Sequence, residues 1–225
     1  MASPERLEPL SRADIGAMRL LLEQAAAAQS AGLSVRLIEP LRVVSLRHLA
    51  EGAPAIAKAL HAHGFLHLPS PGCFEGSGPF LLWRKPGELL LVGTDDSMAD
   101  GLLLALPAGL DPLAYALDLS GGLVLFELQG RCVDAVLERL LDAAAIPHMA
   151  GQAHSTRLGD IVVIAMRQAP DRVWLLADRS NDDYLARWIA YATTAAVDRG
   201  CRNFEQPDRW KLCGINPGQR SENAG

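Results

Sequence analysis

Between residues 80 and 198 the sequence writes one pattern three times: two short apolar runs, a turn between them, and a capped helix. Residues 80–84 and 89–92 flank Lys85-Pro86-Gly87, with proline and glycine in the order a tight reversal prefers. Ser97 and Asp100 then read as the cap of a helix through Leu106, a hydroxyl and an acid three residues apart. Residues 114–119 and 123–128 flank Ser120-Gly121-Gly122, which reads as a second hairpin turn. The helix after Gly130 carries Val133, Val136, Leu137, Leu140, Leu141 and Ala144, steps of three and four that make one stripe. Residues 161–167 and 173–178 flank Gln168-Ala169-Pro170-Asp171, and Ser180 with Asp183 opens a last helix with Leu185, Trp188, Ile189 and Ala192 on one face.

The first and third units align. Trp83-Arg84, a Pro86 turn, Leu-Leu-Leu-Val and Ser97 match Met166-Arg167, a Pro170 turn, Trp-Leu-Leu-Ala and Ser180. A recurring strand, strand, helix unit predicts an α+β fold, with antiparallel sheets covered on one face by helices in a ferredoxin-like manner. Ahead of these units the chain carries a polar arm, a helix opened by Ser11 and Asp14, a strand at 35–38, and an Ala-rich helix at 54–63. Residues 69–79, rich in proline and glycine, read as a linker. The predicted organisation is an N-terminal helical extension and linker at 1–79, an α+β domain at 80–198, and a C-terminal tail at 199–225.

Charge and motifs exclude several functions. A net charge of −5 over 225 residues argues against a nucleic-acid surface, which is basic and clustered. No apolar run reaches the roughly 18 residues of a membrane span, and the first residues mix acids and prolines where a secretory signal needs a basic patch. Gly76-x-Gly78 lacks the third glycine of a dinucleotide fingerprint, and no Walker-type phosphate loop is present. His61, His63 and His67 lie close together, but Gly64 interrupts the helical spacing that metal ligation needs, so they read as a polar helix end. Cys132 sits at a helix start beside Arg131, where a dipole lowers a thiol pKa, yet its surroundings read as packing. The scattered Cys73, Cys132, Cys201 and Cys213 argue against a disulfide framework, and Cys201 and Cys213 fit no zinc or iron–sulfur spacing. The acid pairs Asp95-Asp96 and Asp182-Asp183 occupy helix starts, where capping accounts for them. No catalytic or metal residue is predicted, and no cofactor-binding residue is assigned.

Three strings in order carry a family pattern: Trp83 to Val92, Asp118 to Gly130 with its Leu-Ser-Gly-Gly step, and Asp178-Arg-Ser-Asn-Asp-Asp-Tyr-Leu-Ala-Arg-Trp188. Over roughly residues 80–195 the chain resembles the sarcosine oxidase gamma subunit family, within the folate-binding-like fold of the glycine-cleavage T-protein. The resemblance implies a non-catalytic accessory subunit of a cytoplasmic multi-subunit enzyme that demethylates small N-methyl amines. FAD, FMN, NAD and tetrahydrofolate would sit on larger flavin- and folate-binding partner subunits, with no cofactor on this chain. Other readings stay open: a subunit of an N-methylglutamate dehydrogenase or of a haem-dependent, dimethylamine-type N-demethylase, or a free-standing tetrahydrofolate-binding protein. In the last, Asp118 and Glu127 are the acids near the middle unit that could anchor a pterin. Trp188, Phe204 and Trp210 are candidate partner contacts, although the stripe places Trp188 in the core.

Overall fold

A computed structural model describes residues 32–107 and 113–198. The helix expected from Ser11 and Asp14, and the tail with Cys201, Phe204, Trp210 and Cys213, lie outside the described residues. The strands are β1 (Leu33–Leu37), β2 (Arg42–His48), β3 (Phe74–Glu75), β4 (Phe80–Lys85), β5 (Glu88–Gly93) and β6 (Ala114–Asp118), followed by β7 (Leu123–Gly130), β8 (Ala153–Leu158), β9 (Ile161–Ala169) and β10 (Arg172–Asp178). The helices are α1 (Ala53–Ala62), α2 (Asp96–Ala105), α3 (Val133–Leu140) and α4 (Asp182–Asp198).

These strands form two antiparallel five-stranded sheets, ordered β3-β4-β5-β2-β6 and β1-β7-β10-β9-β8. The expected α+β architecture is present, with helices on one face of each sheet. Val44, Leu46, Leu89 and Leu91 pack against Ile56 and Leu60 of α1 and Leu102 of α2. Phe126, Leu128, Val163 and Leu175 pack against Val136 and Leu137 of α3 and Leu185 and Ile189 of α4. The alternate side chains, Val43, Leu82, Leu90, Leu125, Ile164, Trp174 and Leu176, form a third core between the two sheets. The result is four layers, helix, sheet, sheet, helix. A strand enclosed on both faces has no use for polar alternation, which is why β5 reads Glu-Leu-Leu-Leu-Val-Gly and is buried throughout. Phe80 stacks edge-on against both Phe74 and Trp174, with centroids 5.3 and 5.2 Å away, and so bridges the sheets.

The two sheets are built to one plan. The sequence β2-α1-β3-β4-β5-α2 is matched by β7-α3-β8-β9-β10-α4, and corresponding strands take corresponding places in their sheets. The alignment of the first and third units thus marks a structural repeat. One slot is filled differently. Beside β2 lies β6, which follows α2, whereas beside β7 lies β1, which comes from the start of the described chain.

Three sequence expectations fail here. The segment before residue 80 is not an extension, because β2 is hydrogen-bonded between β5 and β6 and β1 closes the other sheet. The stretch at 69–79 is not a free linker either, since it contains β3, and Cys73 bridges to Gln152. Ser120-Gly121-Gly122 is not a hairpin turn: β6 pairs with β2, β7 pairs with β1 and β10, and the Ser120–Gly122 helical turn carries the chain from one sheet to the other. Hairpins do occur at β4-β5 and β9-β10. In the first, Gly87 has φ +73°, and a Cβ there would stand 2.6 Å from the His48 carbonyl oxygen. A glycine is needed at that turn on both counts.

Candidate functional site

The acids at the turns are spent on local structure. Asp95 is the N-cap of α2 and accepts from the Ser97 amide at 2.8 Å and its hydroxyl at 2.7 Å. Ser97 is therefore a donor inside the first turn rather than the cap that the spacing suggested. Asp178 holds Ser180 in the same way, at 2.9 and 2.6 Å, and Asp118 holds Ser120 at 2.9 and 2.5 Å. The Ser97 bonds pull the Asp95 carboxyl below its ordinary range, and the Ser180 bonds do the same to Asp178. Of the second acid pair, Asp182 accepts from the Asp183 amide at 2.6 Å. The recurring Asp-x-Ser step is thus a turn device.

Arg42 of β2 meets Asp96 and Asp100 of α2 at 2.8 and 2.6 Å and Asp118 of β6 at 3.1 Å, tying a helix to two strands. Each half also buries one glutamate. Glu88 accepts from Ser45 at 2.8 Å and Arg84 at 2.8 Å, and lies 3.1 Å from Lys85 and 3.3 Å from Arg47. Glu127 accepts from the Trp174 indole at 3.0 Å and pairs with Arg36, with Arg172 4.0 Å away. Burial alone would raise both carboxyls, the larger single influence on each. Hydrogen bonds and the cations together outweigh it, so both lie below their ordinary value of 4.5.

The sign follows from linkage. A carboxyl with a folded pKa below its unfolded value contributes stability above the unfolded value and loses it as the pH falls through the folded one. Denaturation midpoints are therefore expected to drop as the pH falls from about 5 to about 3, less steeply in Glu88→Gln than in the parent. A parent midpoint flat across that range would refute this.

The histidines do not converge. His61 bonds the Leu66 carbonyl at 3.1 Å and His63 the Ala59 carbonyl at 2.9 Å, both ordinary endings for α1. A cavity of about 350 Å³ opens there, lined in part by His63, His67, Glu75, Ser77 and Met98. Among the described residues no three His, Cys, Asp or Glu side chains gather to hold a metal ion. Cys132 is buried at the start of α3 and is disulfide-bonded, contrary to the expectation from its scattered spacing, while Cys73 is free.

The surface of α4 stands apart. Leu185, Ile189, Ala192 and Ala196 face the core, in steps of three and four. Tyr184, Trp188 and Tyr191 form a second stripe on the solvent side, 41, 40 and 67% exposed. Their rings follow one another along the helix at centroid distances of 6.2 and 6.0 Å. Trp188 is thus not the core residue that its spacing from Leu185 suggested; one step of three moves it off the buried line. Three large aromatics left in water on one helix face make a candidate contact surface, since interfaces concentrate energy in Trp and Tyr.

Comparison with known proteins then places the architecture. A chain of the heterotetrameric sarcosine oxidase from Corynebacterium sp. U-96, in complex with pyrrole 2-carboxylate, superposes with a TM-score of 0.70 and 26% identity, covering 84% of this chain and 97% of that one. The chain is thus similar in structure to one chain of that sarcosine oxidase. The likeness first read over roughly residues 80–195 therefore extends in three dimensions over nearly the whole of the matched chain. Aminomethyltransferase T of the glycine cleavage system from Bartonella henselae shares the fold with a TM-score of 0.53 and 14% identity, over 75% of this chain and 48% of that one. The T-protein is thus about twice as long as the part it shares. No family model and no curated protein matches the sequence. Among the described residues no helix is long and apolar enough to cross a membrane.

Proposed function

We propose that this chain is a non-catalytic accessory subunit of a cytoplasmic hetero-oligomeric flavoenzyme that demethylates small N-methyl amines such as sarcosine. The observation that carries the reading is the match to 97% of one chain of a heterotetrameric sarcosine oxidase. The gamma subunit is the member of that assembly which the sequence resembles. FAD, FMN, NAD and tetrahydrofolate then belong to the larger partners, and the aromatic stripe of α4 is the face this reading gives to one of them.

A free-standing folate-binding role fits the residues poorly. A pterin anchor needs an acid free to face a pocket. Asp118 is committed to Ser120 and Arg42, Glu127 is buried against Trp174 and Arg36, and neither lines the cavity beside His63.

The test is purification of the endogenous complex. The chain is expected to co-elute with flavin-containing subunits, the complex to oxidise an N-methyl amine, and the isolated chain to show no turnover. Elution free of flavoprotein, or turnover by the chain alone, would refute the proposal. Trp188→Ser should change the stability of the isolated chain by less than about 1 kcal/mol, as expected for a partly exposed side chain. It should weaken assembly by about 2 kcal/mol or more if the stripe is the contact; unchanged affinity by analytical ultracentrifugation would move the interface elsewhere.

A further inference from the structure

The cluster around Glu88 has more positive charge than its own acid can use. Arg47 at the end of β2, and Arg84 and Lys85 at the end of β4, all point at this one carboxylate, which is 1% exposed. Among the described residues no second carboxylate comes within ion-pair distance of the three. Their own side chains remain 38, 38 and 62% exposed, so the buried acid draws them together without covering them.

The donors are also incompletely used. A guanidinium carries five N–H groups in a fixed plane, yet Arg84 meets Glu88 through Nη1 alone and Arg47 turns Nε to Glu88 and Ser45. Tyr115 of β6 stands opposite Arg47 in the β2-β6 register. The buried glutamate of the second sheet, Glu127 on β7, has a different balance: it spends one of its oxygens on the neutral Trp174 indole and faces two arginines. Cations oriented by a buried support, with spare coplanar donors facing water, are what recognition of a planar or tetrahedral oxyanion requires.

We propose that Arg47, Arg84 and Lys85, oriented by Glu88, form a binding site for an oxyanion, a carboxylate or phosphate group. The inference stands independently of the accessory-subunit reading. The oxyanion arrives either as a free small anion or as a carboxylate on another polypeptide, and both present the same chemistry.

The full chain is titrated at constant ionic strength in chloride buffer, once with inorganic phosphate and once with an all-glutamate peptide. The readout is the arginine Nε–Hε resonances. Saturable shifts of the Arg47 and Arg84 signals are expected with at least one probe: phosphate would identify a free anion, and the peptide alone a chain-borne carboxylate. Arg84→Gln leaves Glu88 short of a partner and risks unfolding, so Lys85→Gln is the deciding variant. It should weaken binding about tenfold, the loss of one charge-assisted bond. Arg187→Gln, on the exposed face of α4, should leave binding unchanged. Linear drift with both probes, or titrations identical in parent and Lys85→Gln, would overturn the site.

Discussion

Replacing Gly130 with alanine is expected to strip β1 from its sheet. Gly130 ends β7 opposite Leu33, with φ at +140°. A Cβ at this position falls onto the backbone carbonyl of Gly32, and the Leu33 Cα stands 2.7 Å away. These neighbours are main chain and cannot swing aside as a side-chain tip would. The conformation costs an alanine about 1–3 kcal/mol, and relief of the overlap costs a similar amount again, about 1–3 kcal/mol. The cheapest escape is withdrawal of β1, which exposes Leu33, Val35 and Leu37, all now in the core against α3 and α4. Hydrogen exchange should therefore accelerate at the amides of 33–37 well before those of β9 and β10, with a lower denaturation midpoint. Unchanged protection along β1 would show that the strand tolerates the added methyl group.

The second large effect is expected at Arg167. Its side chain is 2% exposed and lies on the helix-facing side of β9. Nε donates to the Pro147 carbonyl at 2.5 Å, Nη1 to the Pro170 carbonyl at 2.6 Å, and Nη2 meets Asp134 of α3. One guanidinium thus holds the start of α3, the segment beyond it, and the β9-β10 turn. Arg167→Met keeps much of the volume but leaves two carbonyls without donors, at an expected cost of about 3–5 kcal/mol. Asp134 is about half exposed and can be rehydrated, so Asp134→Asn should cost only about 0–1 kcal/mol. Chemical denaturation of both variants checks the asymmetry. Equal losses would mean that the ion pair, and not the carbonyl bonds, supplies the stability.

What the sequence revealed was mostly local. Pro86-Gly87 marked a real hairpin, the stripe from Val133 to Leu140 marked a real helix, and Ser97 and Ser180 marked real turns, although the capping acids Asp95 and Asp178 lie two residues ahead of them. Partnership between strands was harder to read. β6 and β7 have the same apolar character, and nothing in Ser120-Gly121-Gly122 distinguishes a reversal within one sheet from a passage between two. Runs such as Leu89 to Val92 showed burial without showing that two different layers share it. Trp188 escaped for a similar reason, since one turn of α4 carries both the core line and the aromatic line. Arg47, Arg84 and Lys85 gave no signal as single residues; β2, β4 and the buried Glu88 bring them together.

The placement of β1 has a consequence for how the molecule holds together. Severed after β6, the front piece would carry an edge strand with no sheet to join, and the rear piece would be left with an open flank along β7. The front sheet closes with its own β6, whereas the rear sheet is completed only by β1, borrowed from the front of the described chain. Unfolding of the front half should therefore strip an edge strand from the rear one, despite their shared plan.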